Sequence, residues 1–221
     1  GPAGGWFFQG HGRANVRGEY DLQAESGWRF GVHRVGVGLE STRRQPSEQE
    51  NFYIVQGLSG AYQWTNSFSG ETRLVPELHY RNARSKTEWR LRAHLVDGYL
   101  YWNASGEPAQ AGSGVTVLQA IVRQNFRFGR FRWDNSIAVQ RSSAPELNLP
   151  TYWGRHSLYF AGRIFGNALY AHIGGDIRYN TNYTADAWDP LSAAFHLQNT
   201  ETLSFYPVVD AFLSGYVSRA R

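Results

Sequence analysis

Cysteine is absent, which excludes a disulfide framework, a thiol nucleophile and a thiolate metal site. No stretch approaches the about 20 consecutive apolar residues that a transmembrane helix needs, so a helical membrane protein is excluded. Lysine is nearly absent as well: Lys86 is the only one, and the net charge of +4 rests on arginine. The arginines are spread through alternating segments, with Arg43 and Arg44 the only tight pair outside that pattern, so a nucleic-acid groove is not expected. Helical periodicity is scarce, and glycine sits inside nearly every apolar segment, where it would weaken a helix. The opening residues GPAGGWFFQGHG contain no basic segment followed by an apolar one, so no secretory leader is read there and the chain is expected to be a mature or trimmed form.

What is present is an all-β pattern with many large rings, 15% aromatic with eight tryptophans, which is high for an ordinary soluble domain. Candidate strands run over about 13–22, 28–39, 52–64, 71–81, 87–102, 115–128, 130–140, 155–165, 168–181, 193–204 and 207–219. Most exceed the five or six residues usual in globular strands and match the about nine to eleven that a tilted strand needs to cross a bilayer. In GNALYAHIGGDIRYN, Leu169, Ala171, Ile173, Gly175, Ile177 and Tyr179 share one side, and Tyr170, His172, Asp176, Arg178 and Asn180 the other. In RFRWDNSIAVQ, Phe131, Trp133, Ile137 and Val139 oppose Arg130, Arg132, Asp134 and Ser136. Alternation of this kind describes a half-buried sandwich strand as well as a membrane strand.

Connection lengths and ring positions separate the two. The tight turns in FRFGRFRW and IFGNALY, the second at Gly166-Asn167, alternate with the longer polar segments RSSAPELNLPTYW and NTNYTADAWDP, as in transmembrane barrels. Counting back, ASGEPAQAGSG and TNSFSG are expected on the long-loop side, and RNARSK and ESTRRQPSEQEN on the short-turn side. The last assignment puts the longest loop on the wrong side, a sign of a misread strand or of missing chain. A phase slip in GWRFGVHRVGVGLE predicts a bulge or a misplaced boundary. Trp64, Trp89, Trp102, Trp133, Trp153 and Tyr179 stand at or near strand ends, where a bilayer interface selects aromatic rings.

The last 65 residues resemble the C-terminal region of the putative porins of the Bacteroidetes group. The likeness rests on ALYAHIGGDIRYNTNY, AWDPLSAAFHLQN and YPVVDAFLSGYVSRAR, in that order and at short spacing. It implies an outer-membrane β-barrel proposed to act as a channel. Members of that family are longer and carry further strands, so the chain is expected to be part of a larger barrel.

These readings lead to one domain over 1–221, an all-β, antiparallel, up-and-down transmembrane β-barrel in the bacterial outer membrane. The expected function is passive diffusion of small hydrophilic solutes. If the apolar sides face lipid, Arg73, Glu77, Arg81, Arg90, Arg92, Arg123, Arg127, Arg130, Arg132, Asp134, Arg163, Asp176 and Arg178 line a lumen. The excess of arginine there favours anions, or else arginine and acid pair across strands and rigidify a filled barrel. Asp210 is expected to face the lumen or to pair near a strand end, because a charge on the lipid face is costly. Asn180, Asn182, Asp186 and Asp189 lack the spacing of a calcium loop and are read as a plain turn. The seven histidines form no HExxH pair, and no Gly-x-Ser-x-Gly elbow occurs, so neither metal, cofactor nor catalysis is expected. Lipid, solutes, other envelope proteins and further copies of the chain are the expected partners, and nucleic acid is not. The alternatives are a non-conducting structural barrel in an envelope assembly and, less favoured, a soluble glycan-binding β-protein.

Overall fold

The computed structural model describes residues 4–57, 60–166 and 168–217. Its main element is a ten-stranded antiparallel sheet. The strands are β1 (Gly5–Ala14), β2 (Tyr20–Phe30), β3 (His33–Arg44), β4 (Glu71–Asn82), β5 (Thr87–Asp97), β6 (Val115–Phe128), β7 (Phe131–Ser142), β8 (Tyr152–Ile164), β9 (Leu169–Asn180) and β10 (Val208–Val217). Each pairs with its neighbours in chain order, an up-and-down meander. Among the described residues β1 and β10 are the two edges, with no pairing between them, so the expected closed barrel is present here as an open sheet.

The strands are long because alternation continues through them, even across Gly174-Gly175 and Asp134-Asn135-Ser136. They reverse where Asn and Gly collect. The β2–β3 and β6–β7 turns contain Gly31 and Gly129 at φ +56° and +60°, a left-handed conformation that an L-residue adopts at a cost of about 1–2 kcal/mol. Before β2, Asn15 accepts the backbone N–H groups of Arg17 and Glu19 through its side chain, closing a turn at 15–19. The β8–β9 turn has Gly166 at φ +62°; Asn167, expected beside it, lies outside the described residues.

The first half departs from the sequence reading. The expected strand 13–22 is instead the end of β1, the Asn15 turn and the start of β2, and β1 itself was not anticipated. The phase slip near Gly31 marks a misplaced boundary rather than a bulge: the chain turns there in a hairpin, with Trp28 paired to Val35 and Ala24 to Leu39, so the apolar side continues around the turn. The segment 52–64 is a small hairpin, Phe52–Gly57 against Gly60–Thr65, outside the main sheet. Residues 87–102 break at Gly98, φ +66°, and Leu100–Trp102 pairs with Pro108–Gln110. The segment 193–204 forms only short pairings within a connection.

With these corrections the connections sort by end. Residues 15–19, 45–70, 98–114, 143–151 and 181–207 lie at one end of the meander, and 31–32, 83–86, 129–130 and 165–168 at the other. ESTRRQPSEQEN and TNSFSG thus belong to one connection at the long-loop end, which removes the misplaced loop.

The register gives the sheet two chemically distinct faces. Across β3 to β10 the paired sets Val37–Leu78–Leu91, Val122–Ile137, Trp133–Leu158 and Phe160–Ile173–Leu213 share one face. No element covers that face: Leu91 keeps 52% and Leu158 58% of its surface exposed. Most of the few buried apolar side chains lie elsewhere, for example Trp64 and Leu100 in the connections and Val75, Val115, Val117 and Ile121 on the opposite face; Ala171 is buried on the apolar face.

Candidate functional site: the charged face

The second face is polar because every alternate residue of a strand projects there and those positions hold arginine, acid, histidine and glutamine. Over β1–β5 it is concave, enclosing a cavity of about 470 Å³ lined by Gln9, His11, Glu25, Glu77, Arg92 and His94 among others. Glu77 is the hub of this region. It accepts from Arg92 Nε at 2.5 Å, lies 3.4 Å from His79 and reaches Arg90 at 4.0 Å. Glu25 pairs with Arg34 at 2.5 Å and with His79 Nε2 at 3.0 Å. Glu88 receives Arg90 Nε at 2.6 Å and Arg123 at 3.4 Å. Arg73 contacts His94 Nδ1 at 2.7 Å.

On the other half of the sheet Asp176 accepts from Arg155 at 2.7 Å and from Ser157, and Arg178 pairs with Asp210. Asp134 accepts from the Tyr159 hydroxyl at 3.0 Å. Asp210, the charge inside an apolar run, therefore lies on the charged face and is paired.

The anticipated lining residues Arg73, Glu77, Arg81, Arg90, Arg92, Arg123, Arg127, Arg132, Asp134, Arg163, Asp176 and Arg178 fall on this face by register. Arg130 sits in the β6–β7 turn and donates to the Arg163 carbonyl. Glu25, Glu88 and Asp210 belong to the same face and temper the arginine excess. Glu25 fell in the gap between two misplaced strands, whereas Glu88 shares the parity of Arg90 and Arg92 and was legible from TEWRLRAHL.

The aromatic positions divide. Trp89, Trp133 and Tyr179 project from the apolar face, and Tyr179 stacks on His156 with its hydroxyl 3.1 Å from Nε2. Trp153 is paired with Asn180 and Ala138 and so projects from the charged face. Trp64 and Trp102 do not end spanning strands at all. They meet edge to face, 5.4 Å between centroids, in the long connections.

Those connections form a cap. Tyr53 donates to the Leu191 carbonyl at 2.6 Å, and Gln49 to that of Ser192. Tyr62 donates to the carbonyl of Gly106 at 2.5 Å, and Leu197 N–H to that of Trp102 at 2.9 Å. The connection between β3 and β4 is thus joined to that between β9 and β10, far apart in the sheet. A capping box of Ser47 and Glu50 begins a one-turn helix here, and Arg44 grips Glu50 at 2.9 Å. Burial pushes the Glu50 carboxyl up, but hydrogen bonds from Ser47 and Arg44 outweigh it and hold the group below the usual glutamate value. The Ser192 hydroxyl, 2.7 Å away, likewise holds Asp189 low. Asn180, Asn182, Asp186 and Asp189 engage in separate local hydrogen bonds, with Thr181, Phe205, Asn148 and Ser192.

The family model described as "Putative porin" matches residues 2–221. The chain belongs to that family. The match extends well beyond the C-terminal stretches that carry the resemblance in the sequence, and it includes every strand of the main sheet. No curated protein and no solved structure matches the chain. Membership implies a porin-like rather than an enzymatic protein.

Proposed function

We propose that this porin-family chain forms a barrel in the bacterial outer membrane that passes small hydrophilic solutes by diffusion, with a preference for anions. The observation that carries the reading is the two-faced sheet: ten strands, one face apolar and uncovered, the other charged and concave. In hydrocarbon an unpaired sheet edge leaves backbone N–H and C=O groups without partners, so β1 and β10 are paired in the membrane, with each other or with further strands. The apolar face then meets lipid and the charged face water. Solute moves down its own gradient; the width left by the cap sets the size limit and the arginines set the charge preference.

The uncovered Leu, Ile and Phe side chains argue against a soluble glycan-binding protein, because such a patch far exceeds what soluble monomers expose. A non-conducting structural barrel is favoured by one observation only, the joining of distant connections through Tyr53–Leu191 and Gln49–Ser192. Conductance in a planar bilayer tests the reading: discrete open steps with anion-directed reversal potentials support it. Stable insertion without conductance moves the assignment to the structural barrel.

A further inference from the structure

The charges of this chain are segregated along the strand direction. The four longest connections, 45–70, 98–114, 143–151 and 181–207, contain Glu48, Glu50, Glu107, Glu146, Asp186, Asp189 and Glu201, and no lysine or arginine. At the other end, the turn 83–86 holds Arg84 and Lys86, and the turn 129–130 holds Arg130; neither contains an acid.

The charged face continues the same gradient. At its short-turn end Arg29 stands directly opposite Arg34, and Arg34 opposite Arg81, across three adjacent strands. Arg127 stands opposite Arg132, and Arg163 is one residue from the end of β8. Like charges directly opposite on a sheet destabilise it, and here the cost is offset in part by Glu25 on Arg34, by Glu88 opposite Arg81 and by the Phe7 ring beneath Arg29 and Arg34. Among the described residues Arg29, Arg81, Arg127, Arg132 and Arg163 form no salt bridge; of the acids near this end, Glu25 and Glu88 are engaged with Arg34 and Arg90, and Asp134 accepts from the Tyr159 hydroxyl.

Between the ends, acids and arginines pair across strands, as in Glu77–Arg92 and Asp176–Arg155. At the long-loop end Arg13 and Arg44 are bound by Asp21 and Glu50, while Arg17 in the 15–19 turn and Arg73, against His94, have no salt bridge among the described residues. Arg43 and Arg141 lie in register with Thr72 and Leu118, on the apolar face rather than the charged one. Six of the seven connection acids, all but Glu50, form no salt bridge among the described residues.

We propose that this chain is an ionic rectifier, with a cation-attracting mouth at the long-loop end and an anion-attracting mouth at the short-turn end. The proposal rests on the channel reading above. Fixed charge of one sign enriches mobile counter-ions within about one Debye length, roughly 10 Å at 0.1 M salt. When the long-loop side is positive, cations enter through the acidic mouth and anions through the arginine mouth. Both accumulate in the paired middle, and conductance rises. Reversed voltage draws each ion out through the mouth that favours it, and the middle is depleted. Dissolved anions are therefore admitted preferentially from the short-turn side.

The test is the current–voltage curve of single channels of the full-length protein in potassium chloride. A ratio of currents at opposite voltages of about two or more at 0.1 M is expected, falling toward one at about 1 M, where the Debye length is only about 3 Å. Two sets of variants read the ends separately. Arg127→Gln with Arg132→Gln and Arg163→Gln is expected to reduce rectification and move the reversal potential toward cations. Glu48→Gln with Glu107→Gln, Glu146→Gln and Glu201→Gln is expected to reduce it and move the potential toward anions. Channels that conduct with a symmetric curve at 0.1 M overturn the proposal and leave the channel reading standing. Complete silence of the wild type overturns the channel reading itself. Because the salt dependence needs no variant, a mutant that fails to insert does not decide the matter.

Discussion

Trp64 and Trp102 meet edge to face with their ring centroids 5.4 Å apart, and neither stands at the end of a spanning strand. Trp64 is buried, its indole N–H donates to the Gln49 carbonyl at 2.7 Å, and it also stacks on Tyr53. Two rings whose spacing fits a membrane girdle instead hold together two connections outside the main sheet.

Trp64→Ala is accordingly expected to loosen the cap while leaving the sheet intact. Loss of a buried tryptophan costs about 3–5 kcal/mol where the site cannot collapse. Limited proteolysis should show faster cleavage within 45–70 and 98–114, with the far-ultraviolet β signal unchanged. Loss of the β signal would place Trp64 in the folding core of the sheet.

The cap should also be acid-sensitive. Glu50 and Asp189 are held below their ordinary values of 4.5 and 3.8 in the folded state. A depressed carboxyl stabilises the fold fully above its ordinary value and loses that contribution as pH falls through the folded value. Cap protection against protease should be flat above about pH 5 and decline only below about pH 4. Glu50→Gln should lower protection at pH 7 and flatten the acid decline.

The apolar face gives a sharper contrast. Leu91→Arg, in the middle of β5 and outward, is expected to cost about 2–4 kcal/mol of stability in a bilayer, as for arginine near the membrane midplane. Gln119→Glu, directly opposite Arg92 on the charged face of the adjacent strand, should change stability little. Urea titration of protein folded into vesicles measures both. Equal costs would mean that the apolar face does not meet hydrocarbon.

Across β4 and β5, Arg92 and Glu77 are directly paired. Arg92→Ala releases a carboxylate that Arg90, 4.0 Å away, offsets only in part. The reversal potential should move toward cations for Arg92→Ala and toward anions for Glu77→Ala, and the double variant should return near the wild type. Identical shifts from both single variants would show that neither side chain faces the ion path.

The stretch 115–181 was legible because its strands run between unmistakable turns, whereas 193–204, read as a strand, belongs to a connection. The expected 115–128 coincides with β6, and 130–140 and 168–181 differ from β7 and β9 by a residue or two. The first half was not, because one two-residue turn hides within the alternation and one long connection contains strand-like segments. Gly31-Val32 inverts the chain and leaves only a change of parity in the alternation, so the end of β2 and the start of β3 read as one strand with a slip. The hairpin at Phe52–Thr65 alternates as well as any membrane strand, and only the absence of partners in the main sheet sets it apart.

Residue order by itself determined the all-β class, the two-faced strands and the charge pattern, because period-two alternation and the positions of Gly and Asn are local properties. It also determined which arginines share a face, since parity along a strand needs no partner. Only the tertiary structure decided which acids meet those arginines and that the apolar face stays uncovered. It alone separated strands of the sheet from hairpins of the cap, and so sorted acidic connections to one end and basic turns to the other. Pairing, coverage and placement depend on neighbours distant in the chain, and a strand carries the same alternation whether it joins the sheet or folds back on a loop.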